Sequence, residues 1–382
     1  MKRITVIILS CIVLLLFSVS CGGDWIVDDS FKATITFNGN GATSGTMEAM
    51  EVGKGIPIGL NANVFQRPDL PFRCWNTESD GSGTQYTDGQ YIAVKENTTL
   101  YAQWGTTITE STTSWTDGNR YVLDSNVTIS ERITVTGSAT LVLRDGYLLT
   151  ASEGIGVNEG NSLTIQAEGA GTGELIANGP SWWSGIGGND NCSTGTIVIN
   201  SGHVSARGGN RGAGIGGSAT SSVGTITING GTVTANGGDD AAGIGLGYGA
   251  GGGGLITING GIVNAQGGKN AAGIGKGHTN CDGISLIINN GTVTASVSYG
   301  RAAGIGGGYG VAGIDVTING GTVNASGGMN SFSLYGMGIG NGGSGSNGAL
   351  TLGPGVALMV REDEYDWADY DGYSRTQYMK TI

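Results

Sequence analysis

Residues 224–254 read GTITINGGTVTANGGDDAAGIGLGYGAGGGG, and variants of this phrase return along the second half of the chain. LITINGGIVNAQGGKNAAGIGKG begins at Leu255, and VTINGGTVNASGG begins at Val316. Three markers keep one register: an asparagine, a valine after a Gly-Gly turn, and the isoleucine of a Gly-Ile-Gly phrase. The asparagines are spaced 29, 30, 30 and 30 residues apart, at Asn200, Asn229, Asn259, Asn289 and Asn319. This is an internal repeat, and its period decides the fold class.

Each repeat contains two short runs in which apolar and polar residues alternate, as in Ile226-Thr227-Ile228. Strand side chains alternate between faces in this way, whereas glycine at this density costs a helix about 1 kcal/mol per site. One repeat cannot bury its apolar markers alone, but stacked repeats can. The sequence therefore predicts an all-β fold, a right-handed parallel β-helix with about 30 residues per coil. Its inward residues would include Ile226, Ile228, Val233 and Ile244.

The asparagine column fits such a stack. Asparagine tolerates turn geometry, the following glycine accepts a positive φ, and stacked amides can pass hydrogen bonds from coil to coil. We interpret the column as structural rather than catalytic.

Composition narrows the class of protein further. The chain has 382 residues, 76 glycines and a net charge of −12. The glycines lack the three-residue period of collagen, and the recurring Ile and Val argue against disorder. The excess of acidic residues argues against nucleic acid as a binding partner. Two isolated histidines and unpaired cysteines predict neither a metal site nor a cofactor.

Residues 1–20 have the pattern of an export signal, with Lys2 and Arg3 before an apolar stretch over 4–19. The stretch from Ser18 to Cys21, followed by two glycines, resembles a bacterial lipoprotein signal, although Ser18 stands where that motif usually has leucine. The resemblance implies that Cys21 is lipidated and that the exported protein meets the membrane only through this anchor. Ordinary signal cleavage is the alternative. Residues 21–31 would then form a tether.

The segment 32–104 contains ATITFNGNGATSGTM (33–47), FRCWNTESDGSGTQYTDGQ (72–90) and TTLYAQW (98–104). It resembles the Listeria–Bacteroides repeat, also called the internalin B-repeat. This resemblance implies a small β-grasp-like module on a surface protein. We expect Trp75 and Trp104 to be core residues, because a small domain needs its large apolar side chains.

The remainder divides into a linker and N-terminal cap coil at 105–140, the β-helix coils at 141–360 and a C-terminal cap at 361–382. Phrases such as AGIGGG and TITINGGTVTA resemble the glycine-rich β-helix regions of bacterial surface proteins that are described as carbohydrate-binding. The cap is a solvated acidic turn or, alternatively, a calcium site. Its acidic residues are Glu362, Asp363, Glu364, Asp366, Asp369 and Asp371.

One further column carries side chains suited to a ligand. Four residues after each Gly-Ile-Gly isoleucine lie Asp190, Ala219, Tyr248, His278 and Tyr309, so three rings fall on adjacent coils. Trp182 and Trp183 precede Ile186 and could extend this column on an earlier coil. Such rings offer flat faces to sugars. The alternative is that they stack on one another and only order the glycine-rich loops.

The expected function is non-enzymatic binding or adhesion at the cell surface by a monomer. The expected partner is a glycan or a ligand on a host or neighbouring cell. A polysaccharide lyase or hydrolase is the first alternative, but it would need clustered carboxylates on adjacent coils. Asp239 and Asp240 instead lie beside Asn210-Arg211 and Lys269-Asn270 in the repeat alignment. A structural spacer is the second alternative. Ice binding is disfavoured because the Thr-x-Thr array is interrupted.

Overall fold

The computed structural model describes residues 29–67, 70–79, 81, 83–249, 251–279, 283–329, 336–342, 346–354, 356–361 and 380–381. The chain divides into two units, one ending at Trp104 and the other beginning at Gly105. No helix in the described part is long and apolar enough to cross a membrane. The signal and Cys21 lie outside the described residues.

The first unit is a small β module. After a 3-10 turn at Asp29–Phe31, its strands are β1 (Lys32–Asn38), β2 (Met50–Gly53), β3 (Ile58–Gly59), β4 (Phe72–Asn76), β5 (Gln85–Tyr86), β6 (Tyr91–Ile92) and β7 (Thr98–Trp104). Five form a sheet in the order β2-β1-β7-β4-β5, in which only the β1–β7 pair is parallel. A central parallel pair in this order is the arrangement of a β-grasp sheet, although no α-helix occurs among the unit's described residues.

Aromatic packing holds this module together. Trp75 is fully buried, with the rings of Phe37 and Phe72 at centroid distances of 4.9 and 5.1 Å. Trp104 is also buried and donates its indole N–H to the carbonyl oxygen of Gly39. The prediction that both tryptophans are core residues is confirmed.

The second unit is a parallel β-helix of short strands. In chain order they are β8 (Thr106–Thr107), β9 (Ser114–Trp115), β10 (Arg120–Leu123), β11 (Val127–Ile129), β12 (Ile133–Val135), β13 (Ser138–Leu143), β14 (Leu148–Ala151), β15 (Ile155–Gly156), β16 (Ser162–Ala167), β17 (Glu174–Asn178), β18 (Ile186–Gly187), β19 (Thr196–Ile199), β20 (His203–Arg207), β21 (Ile215–Gly216), β22 (Thr225–Ile228), β23 (Thr232–Asn236), β24 (Ile244–Gly245), β25 (Gly254–Ile258), β26 (Ile262–Gly267), β27 (Ile274–Gly275), β28 (Ile284–Ile288), β29 (Thr292–Val297), β30 (Ile305–Tyr309), β31 (Asp315–Ile318), β32 (Thr322–Ser326), β33 (Ile339–Gly342), β34 (Leu350–Leu352), β35 (Ala357–Arg361) and β36 (Lys380–Thr381).

These strands form three sheets, each taking one strand from each coil. Face 1 contains β8, β10, β13, β16, β19, β22, β25, β28, β31 and β34. Face 2 contains β11, β14, β17, β20, β23, β26, β29, β32, β35 and β36, and face 3 contains β9, β12, β15, β18, β21, β24, β27, β30 and β33. Neighbouring coils pair in parallel, so the predicted parallel β-helix is confirmed. The hand of the coil stays a prediction.

The core consists of side-chain columns that point into the coil. Ile226 and Ile228 come from face 1, Val233 from face 2 and Ile244 from face 3, and all four are fully buried, as predicted. Each pairs with an apolar residue on the next coil, as Ile228 does with Ile258. Burial of one such side chain stabilises the fold by roughly 1.5–3 kcal/mol.

Glycine follows the face 3 isoleucine because the backbone there excludes a side chain. Gly275 has a φ of +136°, and a Cβ on it would lie 2.2 Å from the carbonyl oxygen of Gly306. Its neighbour Gly245 meets the same restriction, with a φ of +137°. The glycine after the isoleucine is therefore required by both its backbone conformation and the approach of the next coil.

The β-helix already has strands in the stretch 105–140, where we expected a linker and the N-terminal cap coil. This stretch contains β8 to β12: β10, β11 and β12 supply one strand to each face, and β8 and β9 come before them on faces 1 and 3. These coils are shorter: Thr140 pairs with Arg120, twenty residues earlier, whereas Ile287 pairs with Thr257, thirty residues earlier. The shorter period hides them from an alignment on Gly-Ile-Gly.

At the other end, β36 pairs antiparallel with β35 at the edge of face 2. The acidic residues of the predicted cap lie outside the described residues.

Candidate functional site

The asparagine column forms a ladder of side-chain amides. The Nδ2 of Asn229 donates to Oδ1 of Asn200 at 2.8 Å, and the next three bonds repeat this at 2.7 Å. Each interior asparagine thus donates to the preceding coil and accepts from the following one. This arrangement uses the amide groups for coil-to-coil contact.

The loops on either side of face 3 close over its short strands. In the middle coils a face 3 strand has only two residues, and the amide of Ala242 donates to the carbonyl oxygen of Leu246 across it. Ala272 and Lys276 repeat this bond one coil later. The chain before the strand and the chain after it are therefore brought together.

Two side-chain columns meet at this point. The column before face 3 contains Arg211, Asp240 and Asn270, and the column after it contains Tyr248, His278 and Tyr309. Each residue of the second column donates its backbone N–H to a carbonyl oxygen of the first, one coil earlier. The bonds are Tyr248 to Arg211 at 3.0 Å, His278 to Asp240 at 2.9 Å and Tyr309 to Asn270 at 2.8 Å.

Glycine before each aromatic residue permits this approach. A Cβ on Gly277 would lie 2.2 Å from the carbonyl oxygen of Gly247 and 2.9 Å from that of Asp240. The phrase Gly-Ile-Gly-x-Gly followed by an aromatic residue is therefore the sequence signal for the two adjacent columns.

The three rings contact one another in series. The Tyr248 and His278 ring centroids lie 6.1 Å apart at an interplanar angle of 67°, and those of His278 and Tyr309 lie 5.9 Å apart at 40°. The guanidinium of Arg301 lies over the Tyr309 ring, 5.6 Å from its centroid. We call this series, with Arg211 and Trp182 described next, the ring ladder.

Trp182 joins the ring ladder through Arg211. The Arg211 guanidinium lies 4.4 Å from the Trp182 ring centroid and 4.3 Å from that of Tyr248. The carbonyl oxygen of Trp182 accepts the backbone N–H of Ala219 at 2.9 Å, so Trp182 occupies the Arg211 column rather than the aromatic one. Ala219 is buried and supplies no ring at its position in the aromatic column. The Arg211 guanidinium fills this gap between Trp182 and Tyr248. Sequence reasoning missed this role of Arg211, and the spacing of 29 residues from Trp182 was its signal.

Trp183 lies apart from the ladder. It is partly buried under the guanidinium of Arg132, 4.9 Å from the ring centroid. Arg132 also donates to Oδ1 of Asn189 and to carbonyl oxygens of Glu153 and Ser184. Burial lowers the pKa of Arg132 to about 10, against an opposing effect of Glu153, and the group stays charged at neutral pH.

The carboxylate of Asp240 lies beside the His278 ring and already has partners within the protein. Oδ1 of Asp240 accepts from Nδ2 of Asn270 at 2.8 Å and lies 3.4 Å from Nδ1 of His278. Asp190, at the first position of the aromatic column, is exposed. The ladder therefore combines ring edges and faces with amide, imidazole and guanidinium groups.

One cluster of charged groups in the β-helix has a structural role. Glu168 is almost buried and contacts Arg120 at 2.8 Å and Arg144 at 3.6 Å. No group of three or more His, Cys, Asp or Glu residues that could hold a metal ion occurs in the described ranges.

Comparison with known families adds two matches. Residues 34–103 match the Listeria-Bacteroides repeat domain. Five stretches match the β-helix repeat, at 197–219, 226–248, 256–275, 286–309 and 316–343. The two repeat types together suggest a surface protein. No curated protein and no solved structure matches the chain.

Proposed function

We propose that this protein is exported, anchored to the cell envelope through a lipid on Cys21, and binds carbohydrate without catalysis along the ring ladder. The observation that carries the proposal is the placement of Arg211 between Trp182 and Tyr248, because it makes the rings one continuous strip across successive coils.

The ladder has the chemistry of a sugar-binding surface. Its end residues Trp182 and Tyr309 are 44% and 41% exposed, so their rings remain accessible to a ligand. The interplanar angles of 67° and 40° leave the rings inclined rather than covering one another as a parallel stack. Beside them, Asp240 and Asn270 are bonded to each other through Oδ1 and Nδ2, and their other oxygen atoms, Oδ2 of Asp240 and Oδ1 of Asn270, can orient a sugar.

A glycan array tests this function. The mature protein, produced without lipid, is compared with Trp182→Ala/Tyr309→Ala and with Tyr91→Ala, whose ring is 76% exposed but lies in the first unit. We expect binding by the parent and the Tyr91 variant, and loss in the double variant. Equal binding by all three proteins would show that the sugar binds outside the ring ladder. Binding by none of them would contradict the proposed function and would mean that the rings only pack the loops together.

The anchor is tested separately with the full chain. We expect Cys21→Ala to move the protein from the membrane fraction to the soluble fraction and to abolish incorporation of labelled fatty acid. Retention of the label would contradict lipidation at Cys21.

A further inference from the structure

Two arginines flank the exposed rings of the ladder. Arg211 lies between Trp182 and Tyr248, and Arg301 lies over Tyr309, three coils further along in the same column. Three coil spacings amount to about 14 Å. Both cations therefore belong to the strip that the proposed function assigns to a glycan.

The ring contacts leave the hydrogen-bonding groups of these arginines unused. A guanidinium stacks on a ring through its flat face. Its five N–H donors lie in the guanidinium plane and point outward, so stacking leaves them able to donate hydrogen bonds. Within the described residues, neither Arg211 nor Arg301 forms an ion pair or donates a side-chain hydrogen bond, and Nε of Arg301 is buried without a partner. By contrast, Arg120, Arg132 and Arg144 all contact protein oxygens.

Asp240, which follows Arg211 in the same column, forms no ion pair with either arginine among the described residues. Asp240 is held by Asn270 and His278, as described above. Two positively charged, planar forks thus remain beside the rings, and a fork of this shape matches a carboxylate in bidentate geometry.

We infer that the ligand of the ring ladder is a polyuronate, a polysaccharide with a carboxylate on each sugar, and that Arg211 and Arg301 each bind one of these carboxylates. This inference rests on the proposed function. A polymer with a carboxylate on every residue can reach both arginines without a matched sugar sequence. The net charge of −12 argues against the extended basic surface that nucleic acid needs, but acidic groups more than about 8 Å away are screened at physiological salt, so two local cations can still attract carboxylates.

The test separates charge from sugar recognition. Binding of the mature protein to polygalacturonate is compared with binding to the fully methyl-esterified polymer, which has the same backbone without the charge. Arg211→Gln, Arg301→Gln and Arg211→Lys are measured beside Arg207→Gln, a control on an exposed residue of face 2. Thermal unfolding of each variant confirms that it is folded.

We expect the ester to bind at least ten-fold more weakly than the acid. Each glutamine substitution should weaken polygalacturonate binding by about ten-fold or more, since it removes a charged hydrogen-bond donor pair. Arg207→Gln should leave binding unchanged, and Arg211→Lys should not restore the full affinity, because lysine lacks the fork.

Equal binding of acid and ester, with loss in Trp182→Ala/Tyr309→Ala, would overturn this inference and leave the proposed function intact. If neither polymer binds and the glycan array shows no binding, both this inference and the proposed function are contradicted. Binding of dextran sulfate as tight as that of polygalacturonate, and insensitive to either glutamine substitution, would reduce the result to general charge attraction and also overturn the inference.

Discussion

The backbone N–H of Tyr248 donates to the carbonyl oxygen of Arg211 one coil earlier, while the Arg211 guanidinium lies 4.3 Å from the centroid of the Tyr248 ring. The same pair of residues is therefore linked through both backbone and side chain. The backbone bond recurs at His278 and Tyr309, so the repeat itself brings the polar and aromatic columns together. A binding strip built in this way inherits the regularity of the coil.

The asparagine ladder should contribute to stability in proportion to its bonds. Asn259 makes two amide bonds in the ladder, whereas Asn319 at its end donates only one that the structure shows. We expect Asn259→Ala to cost about 1 kcal/mol and Asn319→Ala about half of that, as for exposed hydrogen bonds. The measurement is thermal unfolding followed by circular dichroism. Asn264→Ala, at an exposed site on face 2 of the same coil, is the control, and an equal loss there would contradict a special role for the ladder.

The glycine after the face 3 isoleucine should tolerate no side chain. Gly275→Ala combines a φ of +136° with a 2.2 Å approach to the Gly306 carbonyl oxygen, and we expect it to destabilise the protein by about 3 kcal/mol or more. Gly251→Ala is the matched control, because an added Cβ there meets no atom within 4 Å. Similar melting temperatures for the two variants would show that the coils can separate to admit a methyl group.

The Glu168 cluster should stabilise the first coils of the β-helix. Glu168 is 8% exposed and contacts both Arg120 and Arg144. Glu168→Gln leaves two guanidinium groups without their anion, and we expect a loss of about 1–3 kcal/mol. Glu174→Gln, at a half-exposed site 3.9 Å from His203, should change stability by less than about 0.5 kcal/mol. The two variants are compared by thermal unfolding at pH 7, and the prediction fails if their losses are the same.

The carboxylate of Asp145 should make the free energy of unfolding depend on pH in the acid range. Desolvation raises the pKa of Asp145, but backbone N–H groups of Ala170 and Thr172 donate to its carboxylate and hold the pKa below its ordinary value. The contribution of Asp145 to the free energy of unfolding is therefore complete above the pKa of this group in the unfolded chain, about 3.9. It is lost as the pH falls through the lower pKa of the folded state.

Asp145→Asn should accordingly lower the melting temperature at pH 7 and have little effect near pH 2. Because Asp145 is exposed, the difference at pH 7 should not exceed about 1 kcal/mol. Melting temperatures of parent and variant across this range check the prediction, with Asp239→Asn as an exposed control. A constant difference between parent and Asp145→Asn at all pH values would contradict it.

Much of the β-helix could be predicted because its determinants are local and repeated. The alternation around Ile226 and Val233 defines the inward face of each strand, and the register of Gly-Ile-Gly identifies the coil. The exact start of the stack could not be found in this way, because strands β8 to β12 belong to shorter coils that lack that phrase. Their pairing depends on contact with the next coil, which sequence periodicity does not report.

The candidate site shows the same division. The sequence alone determined that Tyr248, His278 and Tyr309 recur at one position of successive coils, since a repeat of constant length stacks equivalent residues. Only the tertiary structure decided that Arg211 bridges Trp182 to Tyr248 and that Trp183 packs under Arg132 instead. These contacts depend on how the loops on both sides of a two-residue strand close over it, and that geometry arises only when neighbouring coils are in place.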